Sequence, residues 1–323
     1  MKNNIILIIN SFLYVFSLTE YLIGIKYINN EYNYKNFWFI NLLNIILIPC
    51  YFILLKKENI KKYLLKENLK ILIYPIIVGI LYTIESLFLY YAIDNLPLGF
   101  YIILRSSFII FNIPFFKFLL KKKISNIYIC SCFLLVISYI LIIKDYIDTN
   151  TDNNEIIKYI LAIFFCCLVN TIYNNLIEYS IKKNNLISII DYQIIFQFTY
   201  CIIICIPSIY NTVIKPPPLN ITTICIFILI AFGLQMFMYN KIFILNNNNS
   251  LLSSNILLGG LDLFRRIILL LFAFLFFKEQ LNIYINLSLL FFSISSLLLV
   301  YEYFQKNNNL NHIELKEEEN III

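Results

Sequence analysis

A run of mostly apolar residues, 250–279, carries charges in an unusual place. It is long enough to cross a bilayer, yet Asp262, Arg265 and Arg266 lie near its middle. A charged side chain at that depth costs about 2.5–3.5 kcal/mol on insertion scales, so such residues usually face a water-filled path or the interior of a helix bundle. The spacing places all three on one helix face. With one acid against two arginines, the run predicts either a neutralising ion pair or an anion-binding site inside a transporter.

The first half of the chain contributes three more charges within apolar runs. Arg105 lies in the run 97–120, and Glu20 and Glu85 lie in two earlier runs. Arginine's planar fork suits phosphate or carboxylate, so Arg105 is a candidate substrate ligand unless it pairs permanently with one of the glutamates. Because a buried carboxylate can bind and release a proton during transport, Glu20 and Glu85 are also candidates for proton coupling.

The composition excludes an ordinary soluble domain. Of the 323 residues, 60% are hydrophobic and 14% are charged, whereas about a quarter of a soluble domain is charged. The apolar residues form blocks of about 20, which is the length that crosses about 30 Å of hydrocarbon. The predicted fold class is therefore an all-α integral membrane protein with about ten transmembrane helices. The candidate spans are 4–25, 37–55, 71–93, 97–120, 125–143, 156–179, 185–210, 220–243, 250–277 and 282–304.

The lysines at loops and span ends set the expected orientation. With the N-terminus in the cytosol, most of them fall on the cytosolic side, including those of 56–70 and Lys241, while the acid-rich segment 144–155 falls outside. Ten spans with both termini inside fit this pattern. The net charge of +6 follows the loop orientation, so nucleic acid is not an expected partner. The expected partners are the lipid bilayer and a small-molecule substrate, and a homodimer is left open.

The chain also repeats itself. The segment NIYI occurs at 126–129 and 282–285, which are 156 residues apart. Each half would hold five spans, so the two halves would cross the membrane in opposite senses around a site near its midplane. The predicted domains are a first five-helix repeat at 1–150, a second at 151–304 and a polar cytosolic tail at 305–323.

Motifs for catalysis or cofactor binding do not occur in the sequence. It lacks the GxxxxGK, HExxH and nucleophile-elbow patterns. The eight cysteines lie in or beside apolar blocks, with no CxxC. We therefore expect no enzymatic activity, no cofactor and no metal site. The short loops also argue against a non-transporting scaffold or receptor.

Two segments resemble the drug/metabolite transporter superfamily, which includes nucleotide-sugar transporters, triose-phosphate translocators and chloroquine-resistance-type transporters. They are YYAIDNLPLGFYIILRSSFIIFNIPFFKFLLKKKIS and MYNKIFILNNNNSLLSSNILLGGLDLFRRIILLLFAFLFFKEQL. Arg105 stands where small-metabolite members of that superfamily place a basic residue. Arg265 and Arg266 stand where phosphate translocators carry a Lys-Arg pair, and Tyr239-Asn240 is similar to a Tyr-Asn pair that precedes it.

The resemblance implies a secondary transporter that works by alternating access and exchanges a phosphorylated metabolite, either a nucleotide sugar or a sugar or triose phosphate. Arg105, Arg265, Arg266 and Tyr239 would clasp the phosphate. Asp262 departs from the motif by adding an acid. The candidate substrate-binding residues are Arg105, Arg265, Arg266, Tyr239, Asp262 and Gln235.

A second transport hypothesis is proton-coupled export of cationic or neutral small molecules, such as drugs, amino acids or peptides. Glu20, Glu85 and Asp262 would then carry the function. The resemblance also implies an internal membrane, in the Golgi or endoplasmic reticulum, a plastid or a vacuole.

Overall fold

The described part of the chain is almost entirely helical, because a backbone in hydrocarbon must satisfy its N–H and C=O groups internally. The computed structural model describes residues 2–32, 34, 38–39, 42, 69–118, 124–149, 153–183, 188–218, 220–245, 254–277, 283–299 and 301–302. No strand occurs in these ranges, which confirms the all-α membrane fold. The tail 305–323 and all but three residues of the predicted span 37–55 lie outside them.

Each helix matches a predicted span or part of one. Five of them, α2, α5, α6, α7 and α8 below, contain segments that are long and apolar enough to cross a membrane. Several run beyond the predicted ends, since the apolar pattern marks only the part of a helix that lies in hydrocarbon. The helices are α1 (Lys2–Tyr32), α2 (Leu69–Asn95), α3 (Leu98–Arg105), α4 (Phe108–Phe118), α5 (Asn126–Thr149), α6 (Asn153–Lys183), α7 (Ile189–Ile214), α8 (Ile221–Leu245), α9 (Ser254–Phe277) and α10 (Ile283–Leu299).

The predicted fourth span is not one continuous helix, because it breaks between α3 and α4. At the break, the backbone N–H of Ser106 donates to the carbonyl oxygen of Ile103, and that of Ser107 donates to Leu104, each at 3.1 Å. These bonds reach back three residues instead of the four of an α-helix. The carbonyl of Ile102 is thereby released from its usual partner, Ser106. Discontinuous helices of this kind often border the substrate sites of transporters.

Helices from different parts of the chain pack closely around the centre. α1 packs on α8 and α9, α2 packs on α6 and α7, and α3 packs on α9. The approach of α2 to α7 depends on Gly79, since a Cβ atom there would lie 2.6 Å from the backbone oxygen of Phe196. Small residues commonly allow such close backbone contact in membranes.

Two reciprocal serine pairs join α5 to α10. Ser131 and Ser295 each donate from Oγ to the other's carbonyl oxygen, at 3.0 and 2.9 Å. Ser138 and Ser288 repeat the arrangement one heptad away, at 2.9 and 3.0 Å. Short hydroxyl side chains bring the two backbones together and hydrogen-bond across the interface. We call these four residues the serine seam.

Candidate functional site

Glu85 on α2 is the centre of a buried hydrogen-bond network. Its Oε1 accepts from Arg105 Nη2 at 2.5 Å and from Asn170 Nδ2 at 2.7 Å. Its Oε2 accepts from the hydroxyl of Tyr173 at 2.8 Å. A buried carboxylate needs partners of this kind. Of the two glutamates that the sequence offered to Arg105, Glu85 is the observed partner. The side chain of Glu20 lies outside the described residues.

Lys241 on α8 extends this network into the second half of the chain. Its side chain is only 2% exposed, and its Nζ donates to the hydroxyl of Tyr173 at 2.9 Å. The ammonium also lies 4.4 Å from the centre of the Tyr173 ring. One phenol therefore links Lys241 to the carboxylate of Glu85.

The sequence analysis counted Lys241 among the lysines at loops and span ends, but the structure buries its side chain. The side chain turns inward from α8, because a hydroxyl and two aromatic faces, those of Tyr173 and Phe237, receive the ammonium there. The apolar neighbours on both sides of Lys241, in the segment FMYNKIFIL, were the available sign of burial. The expected orientation still rests on the other lysines.

The charged triad of α9 is formed as its spacing predicts. The carboxylate of Asp262 accepts hydrogen bonds from Arg265 Nη2 and from Arg266 Nη2, and it also accepts from Arg266 Nε at 2.9 Å. Arg266 Nη1 donates to the carbonyl oxygen of Ile102 at 2.6 Å. All three nitrogens of the Arg266 guanidinium therefore have acceptors within the protein.

Arg265 differs from its neighbour. Its Nε and Nη1 are buried and have no hydrogen-bond partner among the described residues. Leaving a buried donor unpaired costs about 1–3 kcal/mol, and more for a charged group. Two donor nitrogens of Arg265 are therefore available to a polar ligand.

A narrow cavity of about 40 Å³ lies where α2, α3, α6, α8 and α9 meet. It has room for a few water molecules and is too small for a metabolite. Its polar lining includes Glu85, Arg105, Asn170 and Arg265. Its aromatic lining consists of Tyr82, Tyr90, Tyr101, Tyr173 and Phe237.

The structure brings only part of the predicted substrate set to this cavity. Arg105 and Arg265 line it, and Glu85 lines it as well. Asp262 and Arg266 are buried beside Arg265 without forming part of the described lining. The predicted pair from α8, Tyr239 and Gln235, is also missing from that lining.

The two α8 candidates lie beside the inward face of their helix. That face is formed by Leu234 and Phe237, which line the cavity, and by Lys241. The ring of Tyr239 stacks on that of Phe243, with centres 6.5 Å apart. The backbone oxygen of Gln235 accepts from the side chain of Gln193, an interhelical contact to α7.

A second, larger cavity is an apolar groove of about 620 Å³ between α1, α8 and α9. Its walls include the exposed rings of Phe12, Phe16 and Phe264. The described lining of this groove contains no charged side chain. It therefore lacks the charged groups that would orient a polar substrate.

Comparisons with known proteins agree with a transporter. A family model described as "Purine nucleobase transmembrane transport" (PUNUT) matches residues 5–212, more than half of the chain. No curated protein matches. Twenty-three chains of solved structures match. One, titled only "Crystal structure of protein", is 10% identical, with 92% of this chain and 97% of that chain covered and a TM-score of 0.60. This likeness concerns the fold alone.

Proposed function

Because the chain belongs to the purine nucleobase transmembrane transport family, we propose that this transmembrane transporter of small molecules carries purine nucleobases by alternating access. The observation that carries the proposal is the cavity at the centre of the helices. It combines five aromatic rings with a few hydrogen-bonding groups, one of which is a buried arginine with two available donors. Small-ligand sites usually have this mixture.

A purine base has the complementary chemistry. It is flat and aromatic, and stacking of a base on an aromatic side chain is worth about 1–3 kcal/mol in nucleic-acid-binding proteins. Tyr82, Tyr90 and Tyr101 offer such rings. Arginine donates to the N7 and O6 atoms of guanine, and asparagine pairs with adenine. Arg265 and Asn170 supply these groups here, and the carboxylate of Glu85 can accept from a ring N–H.

Admission of a purine requires the helices around the cavity to separate, because the cavity holds only a few waters. Glu85 holds together three of the surrounding helices through Arg105, Asn170 and Tyr173. In our proposal, a nucleobase competes for these hydrogen bonds as it enters. The halves predicted from the sequence, 1–150 and 151–304, would rock against each other to expose the site to either side. Glu85 is also our candidate for proton coupling.

A phosphorylated metabolite is the second candidate substrate, and the charge of the network favours it. The described network contains four cations, Arg105, Lys241, Arg265 and Arg266, and two carboxylates, Glu85 and Asp262. A phosphate could bind the available donors of Arg265. Cation export has less support, since both arginines of α9 already bind Asp262.

Counterflow in proteoliposomes separates these candidates. The vesicles are loaded with adenine, hypoxanthine, guanine, nucleotide sugars, sugar phosphates, inorganic phosphate, amino acids or organic cations, and uptake of the matching labelled compound is followed. We expect exchange of nucleobases and its loss in Arg265→Ala. Uptake confined to phosphorylated compounds would replace the nucleobase with an anion, and uptake of cations that is sensitive to Glu85→Gln would point to export.

The location and assembly of the protein remain predictions from the sequence. They are an internal membrane and two cytosolic termini, with a homodimer left open. Fluorescent fusions at each terminus, combined with protease protection, would test the first two. Mass photometry of the detergent-solubilised protein would test the third.

A further inference from the structure

The two carboxylates and four cations of the buried network do not form separate one-to-one ion pairs. Glu85 and Arg105 bind each other directly, at 2.5 Å. Asp262 binds two arginines of its own helix. Lys241 forms no ion pair among the described residues; its ammonium donates to the hydroxyl of Tyr173 and lies against the rings of Tyr173 and Phe237. A cation without a carboxylate partner is costly inside a membrane.

The serine seam relates the two halves by a fixed separation. Ser131 pairs with Ser295, and Ser138 pairs with Ser288. Ser288 follows Ser131 by 157 residues, and Ser295 follows Ser138 by the same number. Replacing each serine by its counterpart 157 residues away therefore converts the pair Ser131–Ser295 into the pair Ser288–Ser138. A two-fold axis between inverted repeats has this property.

The contacts between the broken helix and α9 obey the same separation. Arg266 donates to the carbonyl of Ile102, and Gly259 faces Ile109, whose Cγ1 would lie 3.6 Å from an added Cβ. Gly259 follows Ile102 by 157 residues, and Arg266 follows Ile109 by 157 residues. The same replacement therefore converts the contact between Ile102 and Arg266 into the contact between Gly259 and Ile109.

Nearly the same separation assigns counterparts to the charged residues, and it is one residue shorter for Lys241 than for Asp262. Asp262 follows Arg105 by 157 residues. Lys241 follows Glu85 by 156 residues, the separation of the two NIYI segments. Both counterparts are buried. The acid and the base have changed places, since α2 and α3 carry Glu85 and Arg105 where α8 and α9 carry Lys241 and Asp262.

We propose that Lys241 and Asp262 are the second half's counterpart of the Glu85–Arg105 ion pair, and that they bind each other in the opposite conformation of the transport cycle. The proposal rests on the alternating access proposed above. In inverted repeats, each half takes the conformation of the other when access changes side. The pair of the first half is closed in this structure. In the opposite conformation, the pair of the second half closes while Glu85 and Arg105 separate.

This exchange gives Lys241 a role that no static contact explains. Lys241 hydrogen-bonds Tyr173 in the present conformation and binds the carboxylate of Asp262 in the opposite one. A buried charge left without its partner is strongly unfavourable. Loss of Lys241 should therefore destabilise the opposite conformation and leave the present one nearly unchanged. Lys241 is a positioning residue in this scheme, because it acts through Asp262.

A double-mutant cycle on exchange kinetics tests the proposal. The probe is labelled adenine, or whichever compound of the counterflow panel the wild-type protein carries. If the proposed nucleobase substrate is wrong, the same test is therefore run with the compound that is transported. Lys241→Met and Asp262→Asn should each lower the maximal exchange rate by about tenfold or more, while KM changes by less than about threefold. The double variant should be no slower than the slower single variant. Lys241→Arg, which keeps the charge, should stay close to wild type.

The opposite pattern would assign Lys241 to the support of Tyr173. In that case the losses of exchange rate caused by Lys241→Met and Asp262→Asn would multiply in the double variant. Adding Lys241→Met to Tyr173→Phe would instead cause no further loss. Both variants are first checked for monodispersity in detergent, because Asp262→Asn also removes a partner from two arginines.

A measurement without substrate keeps the proposal testable if Asp262→Asn does not fold. Spin-labelled unnatural amino acids are placed at Asn95 and Val213, which are exposed at the ends of α2 and α7, and their distance distribution is measured. The wild-type protein and Lys241→Arg should show two populations. Lys241→Met should retain only the population that matches this structure. Identical distributions in wild type and Lys241→Met would overturn the proposal.

Discussion

Arg266 donates from Nη1 to the backbone carbonyl oxygen of Ile102, 2.6 Å away and 164 residues earlier in the chain. The break between α3 and α4 releases this carbonyl from its usual partner. Arg266 also lies over the ring of Phe108, which begins α4. It therefore fastens α9 to both sides of the break, whereas Arg265 faces the cavity with two available donors. Of these two adjacent arginines, Arg266 thus holds the helices together and Arg265 is available to a ligand.

The first prediction follows from this division. Arg266→Ala should strongly destabilise the protein, because removal of one member of a buried pair costs about 3–5 kcal/mol. Arg265→Ala should abolish transport with a much smaller loss of stability, since Asp262 keeps its bonds to Arg266. Thermal unfolding in detergent and counterflow are measured on both variants. Equal destabilisation by the two substitutions would contradict the separate roles.

The second prediction concerns the centre of the network. Glu85→Gln keeps the shape of the side chain but removes the charge that Arg105 and Lys241 face, so we expect at least a tenfold loss of exchange rate, on the order of the loss of one charged hydrogen bond. The matched control is Asp148→Asn, a similar change at an exposed position near the end of α5. Wild-type exchange by Glu85→Gln would remove this carboxylate from the transport mechanism.

The third prediction separates the two tyrosines that the sequence and the structure favour. Tyr239 was expected to clasp the substrate, but its ring stacks on Phe243 and is absent from the described cavity lining. Tyr173 lines the cavity and bonds Glu85. We therefore expect Tyr239→Phe to transport within about twofold of wild type, and Tyr173→Phe to lose about tenfold or more. Counterflow rates in the reverse order would restore the interpretation drawn from the resemblance.

The sequence predicts the helices and most of the buried charges because both are local properties. Apolar blocks mark the spans, and the spacing of Asp262, Arg265 and Arg266 alone places them on one face. The break at Ser106 could not be predicted in this way. It leaves the carbonyl of Ile102 without its helical partner, and the replacement donor is Arg266, which is distant in the chain. The inward turn of Lys241 likewise depends on a hydroxyl from α6.

The substrate class was the least accessible property. Arginines within spans suggest an anionic substrate when each is considered alone. The sequence does not show which of them is already paired with a carboxylate of the protein. The structure pairs Arg105 with Glu85 and Arg266 with Asp262, and it leaves two buried donor nitrogens of Arg265 without a partner among the described residues. The matched family is described as one of purine nucleobase transport, and our proposed substrate follows from that description.

The fourth prediction compares two glycines in close helix contacts. At Gly79, an added Cβ would lie 2.6 Å from the backbone oxygen of Phe196 and 2.7 Å from the Cβ of Thr199. Backbone cannot yield as a flexible side chain can, so Gly79→Ala must force α2 away from α7. Overpacking of this kind costs about 1–3 kcal/mol. At Gly259, the nearest atom would be Cγ1 of Ile109 at 3.6 Å, an ordinary van der Waals contact.

Gly259→Ala is therefore the matched control, since it makes the same chemical change in another transmembrane helix. We expect a clear drop in the thermal unfolding temperature for Gly79→Ala and little change for Gly259→Ala, measured side by side in one detergent. Both substitutions also remove a flexible glycine from a helix, which favours alanine by about 1 kcal/mol. That gain should be visible at Gly259 and outweighed at Gly79. A Gly79→Ala protein as stable as Gly259→Ala would mean that α2 and α7 do not meet as closely as the structure places them.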